Sequence, residues 1–138
     1  MALREIIFRG KRKDNDEWFY GDLRQYSETR KGIFDYKSQR MMKGIIPETI
    51  GQFTGLTDKN GTKIFEGDIL KTPKFIGVVK YNEVVASFIV EINDTTTGYL
   101  HWSPLNEGDP SRCLQLQYTE KISTIHDNPE LLEVGENA

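Results

Sequence analysis

The excess of β-branched and aromatic residues over alanine is the strongest constraint that this sequence places on its fold. Thr, Ile, Val, Phe, Trp and Tyr supply 45 of the 138 residues, whereas Ala occurs three times. β-Branched and aromatic side chains fit a pleated, half-buried surface, while Ala is the best helix former. The composition therefore predicts a mostly β fold and excludes a helical bundle, a coiled coil and a disordered chain.

The chain length and the single cysteine limit the class of protein. A chain of 138 residues fits one domain, or a small domain with an appendage. Because Cys113 is the only cysteine, neither an intrachain disulfide nor a cysteine-based zinc site is expected. The most apolar stretch, residues 84–90, is far shorter than the roughly 20 residues that span a bilayer, and the N-terminus lacks an apolar signal segment. We expect a soluble cytoplasmic protein without a membrane partner.

Glycine- and asparagine-rich turns divide the chain into short predicted strands. The predicted strands are residues 4–8, 17–23, 32–36, 49–56, 63–71, 76–81, 85–92, 99–103 and 113–125. The strongest hairpin signal is Asn60-Gly61, because both residues tolerate a positive φ. Gly67 interrupts the strand predicted at 63–71 and predicts a bulge or bend there, and residues 37–47 have no clear period and are predicted as loop. Pro129, preceded by Asn and followed by Glu, predicts one short C-terminal helix.

The most pointed chemical feature is a group of basic residues beside aromatic ones. The group comprises Arg9, Lys11, Arg12 and Lys13, close to Trp18 and Tyr20. Cations beside exposed rings bind single-stranded nucleic acid through phosphate contacts and base stacking. The acidic residues that follow at 14, 16 and 17 offset this charge, and the net charge of the chain is −3. A solvated loop is therefore the preferred interpretation, with nucleic-acid binding as the alternative.

Two further groups of residues are candidates for a catalytic or a metal site. Glu66 and Asp68 lie two apart in a predicted strand and, with His101, could perform acid–base catalysis. Carboxylates on an exposed strand face more commonly serve solubility or cap backbone N–H groups. Neither His101 nor His126 has ligands at metal-binding spacing. The sequence predicts a non-enzymatic protein with no metal and no cofactor.

The central turn and its flanking strands resemble a known family. The segments IGQFTGLTDKNG over residues 50–61 and KIFEGDIL over residues 63–70 resemble the signature of the YopX family. The segments REIIFR (4–9), WFYGDL (18–23) and NPELL (128–132) are similar to other parts of that family. The resemblance implies a small protein encoded by a bacteriophage or prophage, with an SH3-like β-barrel core. It implies no catalytic residue.

Together these observations predict an architecture and a function. We expect an N-terminal hairpin extension over residues 1–47, followed over residues 48–138 by an SH3-like barrel with a C-terminal helical tail. The expected function is a binding or interaction module of unknown ligand, acting in a bacterial host cell. Its partner is expected to be a protein or a second copy of the chain, because small β folds offer loops and sheet edges for association.

Overall fold

A computed structural model describes residues 4–73, 76–83, 86–91, 99–101 and 116–132. The strands are β1 (Phe8–Lys11), β2 (Trp18–Gln25), β3 (Lys31–Asp35), β4 (Arg40–Met42), β5 (Gly51–Thr57), β6 (Lys63–Phe65), β7 (Asp68–Lys71), β8 (Ile76–Asn82), β9 (Ser87–Glu91), β10 (Tyr99–His101) and β11 (Glu120–Thr124). Two 3-10 helices lie at Pro47–Thr49 and Leu116–Tyr118. The prediction of a mostly β fold is therefore confirmed.

The strands form two antiparallel sheets. One sheet has the order β4-β3-β2-β1-β5-β6, and the other has the order β10-β9-β8-β7-β11. Consecutive strands are neighbours along most of both sheets, as expected for short hairpin connections. Among the described strands, neither sheet closes into a barrel.

The chain divides into two compact units, Met1–Gly55 and Leu56–Ala138, with the division inside β5. The sequence placed the boundary earlier, between residues 47 and 48. The described part of the first unit is more than a hairpin, because β3, β4 and the first half of β5 extend the β1–β2 pair. Its buried apolar side chains include Ile33, Ile45 and Phe53, which are at most 7% exposed.

The second unit has its own apolar core. Ile64, Leu70, Val79 and Val90 are fully buried together and come from four different strands. Leu56, Phe88 and Leu116 pack around them, each partly exposed. Burying one such side chain contributes about 1.5–3 kcal/mol, so this cluster is a substantial source of apolar stabilisation.

A sharp corner, rather than a bulge, interrupts the segment at 63–71. β6 belongs to the first sheet and β7 to the second, and Glu66-Gly67 forms the turn between them. Gly67 adopts a φ of +95°, a conformation that side chains with a Cβ rarely adopt. The predicted interruption at Gly67 is therefore a bend, because a two-residue turn at glycine redirects the chain and divides the segment into β6 and β7.

Three other predicted segments differ from the structure. β1 starts at Phe8, where the predicted strand 4–8 ends, and Ile6 is 53% exposed. The segment predicted as loop at 37–47 contains β4. The long strand predicted at 113–125 is a 3-10 turn followed by β11 within the described residues, and residues 113–115 lie outside them.

The predicted C-terminal helix is described only in part. Residues 130–132 are helical, and the N–H of Leu131 donates to the carbonyl of Asn128 at 3.2 Å. The Asn128 side chain also donates to Glu130 at 3.0 Å. The rest of the predicted helix, including Val134, lies outside the described residues.

Candidate functional site

The basic cluster predicted near the first hairpin is divided between β1 and the turn that follows it. Arg9 and Lys11 lie on β1, and only Arg12 and Lys13 belong to the turn. Arg9 is 1% exposed, and its guanidinium carbon lies 4.3 Å from the centre of the Trp18 ring. A guanidinium over an indole face is a cation–π contact that supports packing. Arg9 is therefore withdrawn from any ligand that approaches from solvent.

The other predicted residues of this hairpin do not form one cationic face. The Lys11 ammonium lies 5.6 Å from the centre of the Trp18 ring. Arg12 donates two hydrogen bonds to Asp14, at 2.7 and 3.0 Å, and this bonding lowers the pKa of the Asp14 carboxyl. Tyr20 is 44% exposed. No feature of the described residues favours the nucleic-acid alternative at this hairpin.

A different group of basic residues lines a cleft in the first unit, which we call the basic cleft. Its volume is about 330 Å³. The lining residues are Lys13, Tyr26, Thr29, Arg30, Lys31, Lys43, Ile45 and Pro47. They come from three segments of the chain: the β1–β2 turn, the β2–β3 loop with the start of β3, and the connection that follows β4.

Backbone hydrogen bonds bring the first and third of these segments together. The N–H of Lys13 donates to the carbonyl of Gly44 at 2.8 Å, and the N–H of Ile46 donates to Lys11 at 2.8 Å. Arg12 and Ile45 form an isolated antiparallel bridge between these two bonds. The connection after β4 therefore extends alongside the end of β1, which sets Lys43 and Lys13 on the same cleft.

The second segment is held by a closed loop between β2 and β3. The N–H of Tyr26 donates to the carbonyl of Arg30 at 2.8 Å. The Ser27 hydroxyl accepts the N–H groups of Arg30 at 3.1 Å and of Thr29 at 3.3 Å. Serine commonly fixes turns by such local bonds. The loop backbone that carries Tyr26 and Arg30 is thereby held in place.

The electrostatics of the basic cleft are one-sided. Among the residues that the structure describes, its lining has four cationic side chains and no carboxylate. Within the part of the chain that the structure describes, none of these four cations forms an ion pair. The Lys43 ammonium lies 5.5 Å from the centre of the Tyr26 ring, and Tyr26 is 52% exposed. Unneutralised cations in a concave surface attract anions.

Sequence reasoning missed the basic cleft, apart from Lys13. The signals were present but separate: a net charge of +3 over residues 1–50, and Lys43 within the segment 37–47 that has no clear period. What joins them is a set of backbone bonds between residues more than 30 positions apart, which local patterns do not reveal.

The predicted carboxylate pair does not form a shared face. Glu66 lies in the corner between β6 and β7, while Asp68 is fully buried. Asp68 accepts the N–H of Phe65 at 2.7 Å and lies 3.4 Å from the Lys121 ammonium. His101 is on β10, which β9 and β8 separate from β7. Three strand spacings of about 4.8 Å therefore separate the backbones of Asp68 and His101.

Asp58, in the central turn, is a second buried carboxylate with a structural role. Its Oδ1 accepts the N–H groups of Asn60 at 2.8 Å and Thr62 at 2.9 Å, and its Oδ2 accepts that of Lys121 at 2.9 Å. Burial opposes ionisation, but these bonds and the Lys121 charge outweigh it and lower the pKa of Asp58. The side chains of both aspartates thus contact Lys121. Asp58 accepts the backbone N–H of Lys121, and Asp68 lies beside the Lys121 ammonium.

The remaining candidate residues form no further site in the described ranges. The N–H of His126 donates to the Thr124 hydroxyl at 3.1 Å, and Cys113 lies outside the described residues. No group of three or more His, Cys, Asp or Glu side chains capable of holding a metal occurs among residues 4–73, 76–83, 86–91, 99–101 and 116–132. In the same ranges, no helix has the length and apolar character needed to cross a membrane.

Comparisons with known proteins identify the family. A comparison with curated proteins gives no match. Among solved structures, the crystal structure of protein EF1440 from Enterococcus faecalis matches with a TM-score of 0.52 and 24% sequence identity, over 94% of this chain and 99% of that chain. At this identity the likeness concerns the fold alone. The family model described as YopX protein matches residues 7–133. The chain therefore belongs to the YopX family.

Proposed function

We propose that this protein is a non-enzymatic binding module that holds an anionic ligand in the basic cleft. The single observation that carries the proposal is a concave site of about 330 Å³ lined by four cations and no carboxylate. Its volume lies at the lower end of the range of about 300–1,000 Å³ typical of small-molecule sites. Arg30 supplies a planar fork suited to phosphate or carboxylate oxygens, and the lysines supply point charges.

The composition of the basic cleft supports a binding role over catalysis. Among the described residues, its lining includes no His, Asp or Glu, and the buried Asp58 and Asp68 accept backbone N–H groups elsewhere. A site made of cations, one tyrosine, one threonine and apolar residues can hold and orient an anion. It offers no imidazole or carboxyl group to act as a general acid or base.

Family membership suggests the setting in which the module acts. We propose that it works in the cytoplasm of a bacterial cell that carries a bacteriophage or prophage.

We also propose that the second unit represents the SH3-like core that the family resemblance implies. Its corner at Gly67, where the chain passes from one sheet to the other, supports this proposal, because strands in barrel-like sandwiches pass between sheets through bulges or bends.

Pyrophosphate is a suitable first probe, because it is a compact polyanion without an aromatic group. Amide chemical shifts of the ¹⁵N-labelled protein should move on titration at Lys13, at residues 29–31 and at residues 43–45. The Lys13→Gln/Arg30→Gln double variant should weaken binding by about tenfold or more, since each charge-assisted contact contributes roughly 1.5–3 kcal/mol. Lys37→Gln, an exposed lysine outside the cleft, is the matched control. Shifts confined to other regions, or equal effects of both variants, would refute the proposal.

Self-association is a separate proposal that concerns sheet edges. β4 ends the first sheet, and its Met41 and Met42 are half-buried, so a second copy could pair with this edge. Light scattering over a wide concentration range should show a dimer or larger species. A monomer at every concentration removes this proposal and leaves the basic cleft unaffected.

A further inference from the structure

We infer that the ligand of the basic cleft is a nucleoside 5′-phosphate, either a free nucleotide or the phosphorylated terminal nucleotide of a strand. This inference rests on the proposed function and makes it more specific. In this arrangement the cations hold the phosphates, and Tyr26 contacts the base.

The cations of the cleft are suited to phosphate. Arg30, Lys43 and Lys13 are exposed, and Lys31 is half-buried. A terminal phosphate carries between about 1.5 and 2 negative charges at neutral pH, so two linked phosphates require several cations to neutralise them. A guanidinium binds two phosphate oxygens at once, and lysines add charge without fixed geometry.

Besides its cations, the cleft lining includes an aromatic ring and apolar side chains, which inorganic phosphate does not need. These residues are Tyr26, Ile45 and Pro47. Tyr26 is 52% exposed although it is a large ring. Stacking of a base on an aromatic side chain contributes about 1–3 kcal/mol, and every base offers a suitable face. An exposed tyrosine within a cation-lined cleft therefore favours a ligand that combines phosphate with a planar ring.

A cation and the aromatic ring of the cleft are adjacent. The Lys43 ammonium lies 5.5 Å from the centre of the Tyr26 ring, so a positive charge is present beside the ring. A ligand whose phosphate and ring are joined by a short linker can contact both parts together. A nucleotide has this arrangement, whereas an acidic peptide carries its charges on an extended backbone and has no aromatic group linked to each charge.

Calorimetry with ADP, pyrophosphate and adenosine separates the two parts of the ligand. We expect ADP to bind about tenfold more tightly than pyrophosphate, which corresponds to one stacked base, and adenosine to bind weakly. Tyr26→Leu should weaken ADP binding and bring the ratio of ADP affinity to pyrophosphate affinity close to one. Tyr36→Leu is the matched control, because Tyr36 is 61% exposed in the same unit and does not line the cleft.

The outcomes distinguish this inference from the broader proposal. Equal affinity for ADP and pyrophosphate in the unaltered protein overturns the inference but leaves an anion-binding cleft. Tighter binding of a glutamate-rich peptide than of ADP also overturns it. Absence of binding by every probe overturns both. The ADP-to-pyrophosphate ratio requires no variant, so the test stands even if Tyr26→Leu fails to fold.

Two sources of the same ligand chemistry are compared in a last arm. A trinucleotide with a 5′-phosphate and the same trinucleotide without it are titrated beside ADP. Preference for the phosphorylated trinucleotide over ADP supports the inference and identifies a strand terminus as the source, while preference for ADP supports it and identifies a free nucleotide. Equal binding of the two trinucleotides, at least as tight as that of ADP, overturns it, because recognition would then not depend on the 5′-phosphate.

Discussion

The two units of the molecule use their charged residues in opposite ways. In the second unit, Asp58 and Asp68 are at most 6% exposed and bind backbone N–H groups. In the first unit, Lys13, Arg30 and Lys43 are exposed and face a cleft without a carboxylate. The two aspartates of the family signature thus stabilise the fold, whereas the cations of the basic cleft lie outside that signature.

The difference follows from the cost of burying a charge. A carboxylate removed from water is tolerated only when N–H donors or a cation replace its hydration. Asp58 has three such donors, and Asp68 has a donor and the nearby Lys121 ammonium. The cleft cations keep most of their hydration and remain available for a partner. Mutations that change stability and ligand binding independently therefore test this difference between the two units.

Asp58→Ala should give the largest loss of stability. The substitution removes the acceptor of three backbone N–H groups, one of them from Lys121 on β11. We expect the free energy of unfolding to fall by about 3 kcal/mol, because partly buried donors lose their partner. Urea unfolding measures it. Asp14→Ala is the control, since that carboxylate is exposed and its loss should have little effect. A loss for Asp58→Ala no greater than for Asp14→Ala would contradict the stabilising role of the three hydrogen bonds to Asp58.

Arg9→Met tests a basic residue of the first unit that behaves like the buried aspartates of the second. Arg9 is 1% exposed and lies against Trp18. Loss of its charge and hydrogen-bonding groups should lower the free energy of unfolding by about 2 kcal/mol. Pyrophosphate affinity should stay unchanged, because Arg9 does not line the basic cleft. A variant that keeps its stability but loses pyrophosphate binding would show that Arg9 contacts the ligand instead.

The turn at Asp58 shows what the sequence can predict. The N–H of Gly61 donates to the carbonyl of Asp58 at 3.0 Å, and Gly61 adopts a φ of +80°. These features depend on four neighbouring residues, so the Asn60-Gly61 signal was sufficient to locate the turn. The signal did not reveal that only Gly61 of this pair has a positive φ, or that the Asp58 side chain reaches Lys121, 63 residues away.

The basic cleft shows what the sequence could not predict. The bond from Lys13 to Gly44 and the loop closed by Tyr26 and Arg30 are set by register between strands. Register depends on which faces become buried, and one sequence does not specify which distant segments meet. For the same reason the burial of Arg9 was missed, because Lys11, Arg12 and Lys13 follow it closely and the four residues suggested one solvated basic group.

The pH dependence of stability should reflect the buried carboxylate of Asp58. Its pKa in the folded protein is lowered, because the N–H donors of Lys121, Thr62 and Asn60 outweigh the effect of burial. The unfolded state therefore binds this proton more tightly, and stability is lost as the pH falls below about 4 towards the lower folded pKa.

Urea unfolding between pH 7 and pH 2.5 provides the measurement. The unaltered protein should lose more stability over this range than Asp58→Asn, whose side chain does not titrate. Asp35→Asn serves as the control. The Ser38 hydroxyl lowers the Asp35 pKa, but this turn is exposed, so the substitution should alter the pH profile less than Asp58→Asn does. Parallel pH profiles for Asp58→Asn and the unaltered protein would mean that the Asp58 bonds contribute nothing to acid stability.

The smallest expected effect comes from removing charges in the basic cleft. Lys13→Gln/Arg30→Gln should leave the free energy of unfolding unchanged or raise it by up to about 0.5 kcal/mol at low salt, because exposed like charges repel one another. The gain should disappear at high salt as the charges are screened. Lys37→Gln, outside the cleft, is the control. The same double variant is expected to lose pyrophosphate binding, so binding and stability should change independently. A loss of stability above about 1 kcal/mol would show that these cations support the fold, as the aspartates of the second unit do.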